Sequence, residues 1–77
     1  MNHKQFDQFR TVAEGILTEY ARTPFLETEA LDLQVAQLLA KYAPDTNFIH
    51  HLGNVDGDVV LRSALAYFQL KLARSSA

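Results

Sequence analysis

The chain has 77 residues, 48% hydrophobic and 21% charged, which suits one folded domain and excludes a disordered segment. Its formal net charge of −2 gives no general attraction to nucleic acid or anionic lipid, and its lack of cysteine removes disulfides and thiolate metal sites as supports for the core. There is no charged-then-apolar leader and no apolar run near the ~18 residues of a membrane span, so the expected setting is cytoplasmic.

Asn2 and Gln5 have the spacing of a capping box, with an amide at the N-cap and another three residues on. From His3 to about Arg22, Phe6, Phe9, Val12, Ala13, Ile16, Leu17 and Tyr20 recur at helical spacing. Lys4, Asp7, Arg10, Thr11, Glu14 and Thr18 fall opposite them. This is a one-sided amphipathic helix. Gly15 is its weak point, and it sits near the polar face. Thr23 and Pro24 stop the helix. Phe25 and Leu26 then plug one end of the core or staple onto the next helix, for which Thr28 is a suitable N-cap.

The second helix is expected over about 28–43. Leu31, Val35, Leu38, Leu39 and Tyr42 line one face, and Gln34, Gln37 and Lys41 lie opposite. Leu33 points away from the stripe and is either exposed or makes a separate contact. Pro44 ends the helix. Residues 45–52, DTNFIHHL, read as a short helical segment capped by Asp45 or Thr46 and closed by Gly53, with Phe48, Ile49 and Leu52 toward the core. A short strand through Phe48 and Ile49 is the other reading, but no second strand is present to pair with it.

The last helix, about 57–74, starts after Asp56 as N-cap. Asp58 lies in its first turn and Lys71 and Arg74 in its last, which suits the helix dipole. Val60, Leu61, Ala64, Leu65, Phe68 and Leu72 form its core face. Asp58, Arg62 and Gln69 form a narrow polar strip. The remaining side carries Val59, Ser63, Ala66, Leu70 and Ala73, spaced four, three, four, three like a heptad seam, and mostly small. A helix apolar nearly all round is expected to be covered on both sides. Its second face meets other helices of the same chain, a second copy, or a different protein. A single core of this size has little stability to spare, and self-association is the common supplement.

Several constellations in the chain invite a chemical reading. With Gly57 as the sixth position of a calcium loop, Asn54 and Asp56 fall on ligand positions, but Leu52 and Ser63 fall on the first and last, which excludes the motif. His50 and His51 are adjacent, so on a helix they point about 100° apart and do not share an ion easily. His3 is remote from both. No nucleophile is placed beside a base, and no cofactor, metal or small-molecule substrate is expected. A short helix, a turn at Gly53 and a longer helix resemble a helix-turn-helix in outline. In that geometry Asp56, Gly57, Asp58, Val59 and Arg62 would enter the major groove. Only Arg62 suits a base edge, and there is no basic stripe.

The expectation is therefore an all-α fold of one domain, a small antiparallel three-helix bundle with a short extra helical segment before the last helix. Its expected function is that of a non-catalytic interaction module or small regulatory or inhibitory protein. It would act on another protein, itself or both through Val59, Ser63, Ala66, Leu70 and Ala73. A DNA-binding regulator is the alternative. Glu27, Glu29, Asp32, Asp56 and Asp58, near helix starts, serve as caps or as an acidic surface for a basic partner.

Overall fold

The computed structural model describes residues 2–22, 28–52 and 54–75. Three α-helices, α1 (His3–Arg22), α2 (Thr28–Tyr42) and α3 (Gly57–Ser75), each pack on the other two. A five-residue 3₁₀ helix, Asn47–His51, precedes α3. This is the expected all-α bundle with its extra segment. The expectations for Thr23, Pro24, Phe25, Leu26, Glu27 and Gly53, and for the side chains of Thr28 and Ile49, lie outside the described residues.

The start of α1 is the expected capping box. Asn2 N–H donates to Gln5 Oε1 at 3.0 Å and Gln5 N–H donates to Asn2 Oδ1 at 2.8 Å. Two backbone donors that the helix leaves open are thereby satisfied reciprocally. Arg10 and Asp7 form an exposed ion pair at 3.3 Å on the polar face. At i,i+3 in open solvent it adds little.

The core is built around Phe9, which is fully buried. Its ring meets Tyr42 of α2 at 6.0 Å and Phe68 of α3 at 5.8 Å, both edge to face, the arrangement that the ring quadrupoles favour. Phe6, Ala13, Leu31, Val35, Leu38, Leu39, Ala43, Val60, Leu61 and Ala64 complete the buried cluster. Ile16, Leu17, Tyr20, Leu65 and Leu72 pack on its edge. Val12 departs from the expected core stripe, with 45% of its surface exposed. At about 100° per residue it lies roughly a quarter-turn off the line through Phe6, Phe9 and Ala13, beyond the arc that two neighbouring helices cover. Leu33 resolves as exposed.

Helix directions follow from the contacts. Phe9, near the start of α1, meets Tyr42 at the end of α2, so α1 and α2 run antiparallel. Gly57, the first residue of α3, abuts Leu31 and Asp32 near the start of α2. Phe68 and Tyr42, both well along their helices, meet the same Phe9 ring. Within the bundle, then, the α2–α3 pair departs from antiparallel order and runs in one sense, and the intervening residues carry the chain back.

That return is packed rather than loose. Thr46 was a candidate cap for the segment after it, but its hydroxyl instead donates to the Ala43 carbonyl at 2.9 Å, closing the end of α2. Its backbone N–H donates to the same oxygen at 3.2 Å. Pro44 prevents the helix from continuing. The Phe48 ring then lies against Tyr67 and Phe68 of α3, at 5.4 and 6.0 Å. Farther along, the N–H groups of Asn54 and Val55 both donate to the His51 carbonyl at 3.1 Å, and Asp56 leads into α3.

Candidate functional site

The outer face of α3 is where the sequence placed more apolar surface than one packing partner needs. Helix geometry sets Val59, Ser63, Ala66, Leu70 and Ala73 around the side opposite Val60, Leu61, Ala64 and Phe68. Burial follows that division. The second group is buried, whereas all five residues of the first are exposed, Val59 by 47% and Leu70 by 53%. Of the three coverings open to this face, other helices of the same chain do not supply it. No described residue of α1 or α2 lies over it.

The 3₁₀ segment widens the patch without covering it. Phe48, His51 and Val55 border a shallow groove whose other wall is Val59, Val60 and Ser63. Tyr67, Leu70, Lys71 and Arg74 line a second groove farther along α3. Val55 and Tyr67 are themselves more than two-fifths exposed. Among the described residues, six large apolar side chains are strongly exposed, and Val55, Val59, Tyr67 and Leu70 are four of them. Such surface gathered on one side is the mark of an interaction site, whereas exposed apolar residues scattered singly are ordinary. Periodicity indicated the α3 seam but missed Val55 and Tyr67. Val55 stands in a turn, where helical spacing says nothing, and Tyr67 flanks the seam rather than joining it.

The predicted acidic residues are partly brought together. Asp32 packs against Gly57, so Asp32, Asp56 and Asp58 sit around the start of α3. Asp56 is exposed and holds the N-cap position, its carbonyl accepting from the Val59 and Val60 N–H groups at 3.1 Å. Asp58 is half-buried, and Glu29 is exposed in the first turn of α2. Asp32 Oδ1 is buried and has no hydrogen-bond partner. Glu27 lies outside the described residues.

The start of α3 is also the end that a helix-turn-helix would insert into DNA. Gly57 is buried against α2 there, and the segment before it is one short 3₁₀ helix rather than an α-helix. His50 and His51 are both exposed. Among the described residues no group of three or more His, Cys, Asp or Glu side chains gathers as a metal site, and no helix is long and apolar enough to cross a membrane.

Compared with known proteins, the chain matches no family model, no curated protein and no solved structure. The functional reading therefore rests on the exposed face of α3.

Proposed function

We propose that this protein is a small, non-catalytic interaction module, a regulatory or inhibitory protein of the cytoplasm that works by occluding or bridging through the outer face of α3 and self-associates there. The observation that carries the reading is the exposure of Val59 and Leu70 on a helix whose opposite side buries Val60, Leu61, Ala64 and Phe68. A helix with one buried and one polar face needs no partner. This one leaves a continuous apolar stripe in water, flanked by Val55 and Tyr67, and covering it is favourable by about 25 cal/mol per Å² of apolar surface. Ser63, Ala66 and Ala73 are small enough to let another helix approach closely.

The test is sedimentation equilibrium over a wide concentration range, together with urea unfolding, on the native chain and on Ala66→Glu combined with Leu70→Glu. Both substitutions are at exposed positions, so the variant is expected to keep its fold and lose association. Unchanged association, unchanged partner binding and unchanged stability in the variant would show that the face does nothing. A gel-shift titration addresses the other function class. Micromolar or tighter binding to duplex DNA, weakened steeply by salt, would replace this reading with DNA binding.

A further inference from the structure

We infer that the partner on the outer face of α3 is a second copy of this chain, docked antiparallel about a two-fold axis passing close to Ala66; this rests on the interaction reading above. Two independent features of the face select that occupant and that direction.

The first is size. Along the seam the large residues are Val59 and Leu70, and the small ones are Ser63, Ala66 and Ala73. In a parallel, in-register pair each residue meets its own copy. Leucine would then face leucine and hold the helices apart, while alanine facing alanine at positions 66 and 73 left voids. Packing at native density disfavours the two together along one seam. An antiparallel pair centred on Ala66 sets Val59 opposite the partner's Ala73 and Leu70 beside the partner's Ser63. Each large side chain then meets a small one, and the gap between the helices stays even over the about 21 Å from Val59 to Ala73.

The second is charge. Asp56 and Asp58 stand at the start of α3 and Arg74 at its end. Parallel docking sets acid beside acid and base beside base. Antiparallel docking sets the acidic start of each helix beside the basic end of the other, twice over, and opposes the two helix dipoles favourably. The charges lie at the rim of the seam, so their role is to set direction. The apolar residues between them supply most of the attraction.

The natural sequence has no cysteine, which makes disulfide trapping specific. Ala66→Cys, Val59→Cys and Ala73→Cys each alter an exposed residue, and circular dichroism checks that each variant is folded. Under oxidised glutathione, Ala66→Cys is expected to form covalent dimers, because residue 66 lies near the axis. An equimolar mixture of Val59→Cys and Ala73→Cys is expected to give the mixed disulfide over either homodisulfide. Arg74→Glu is expected to weaken dimerisation about tenfold by making the two rim pairs with Asp56 repulsive, and adding Asp56→Lys, on the same flank of the seam, is expected to restore it.

Crosslinking at 66 with homodisulfides prevailing at 59 and 73 would overturn the antiparallel docking while leaving self-association intact. A native chain that sediments as a monomer at every concentration, with no crosslink at 66, would overturn the second copy as the occupant. Recognition of a different protein through the same face would then stand or fall by the Ala66→Glu, Leu70→Glu variant.

Discussion

Asp32 Oδ1 lies 2.5 Å from the point at which Gly57 would carry a Cβ. That contact joins the starts of α2 and α3 and explains the glycine. The other nearby atoms, Leu31 Cγ at 3.4 Å and Asp32 Cα at 3.5 Å, would tolerate a methyl group in ordinary contact. Only the carboxylate forbids it. Gly57→Ala is therefore expected to destabilise the protein by about 1 kcal/mol, the low end of overpacking, because a side-chain oxygen can shift where backbone cannot. In an Asp32→Ala background the same substitution is expected to stabilise, since alanine is the better helix former. A double-mutant cycle in urea reads the coupling. An equal penalty in both backgrounds would refute the contact.

Gly15 is the opposite case. It is exposed in the middle of α1, and nothing lies within 4 Å of a Cβ built on it. No close helix approach explains it. Gly15→Ala is expected to stabilise by about 0.5–1 kcal/mol, through the lower chain entropy of the unfolded state and the better propensity in the helix. In a chain of this size that raises Tm by about 2–8 °C. Thermal unfolding followed at 222 nm decides it, and an unchanged or lower Tm would count against an open site.

Phe9 and Val12 belong to one apolar stripe in the sequence, yet they should respond very differently to truncation. Phe9→Ala removes a fully buried ring that touches α2 and α3, and about 3–5 kcal/mol is expected to be lost. For a small domain that is a large share of the total, so the variant should be partly or wholly unfolded at room temperature. Val12→Ala changes a half-exposed side chain and is expected to stay within about 0.5 kcal/mol of the native protein. Urea midpoints of the pair would show whether α1 is seated as described.

The capping box should be measurable at the N-terminus alone. Asn2→Ala removes the acceptor for Gln5 N–H and is expected to cost about 1 kcal/mol. Amide exchange should quicken in the first turn of α1 and change little around Leu39 and Leu61. Uniform quickening would mean that the box supports the whole fold rather than its end.

The seam variant carries the functional prediction. Ala66→Glu with Leu70→Glu is expected to abolish association while shifting unfolding stability of the isolated chain by no more than about 0.5 kcal/mol per site, as for exposed positions generally. Loss of both folding and association at low concentration would instead indicate that the face is buried within one chain.

Periodicity and capping chemistry determined much of this protein without a structure. The helical spacing of Phe6, Phe9 and Ala13, of Leu31, Val35, Leu38 and Leu39, and of Val60, Leu61, Ala64 and Phe68 identified three helices and their buried faces, because a helix repeats every 3.6 residues whatever it packs against. Asn2 and Gln5 identified a cap because both partners lie within one turn. The seam of α3 was legible for the same reason. Its exposure was not, since periodicity defines faces and leaves open which face meets which. Tertiary packing alone decided that Val12 falls outside the core and that Gly57 is demanded by Asp32. It also set α2 and α3 running in one sense, with the 3₁₀ segment returning along α3. Each of these depends on contacts between residues distant in the chain, where no local rule of spacing or propensity applies.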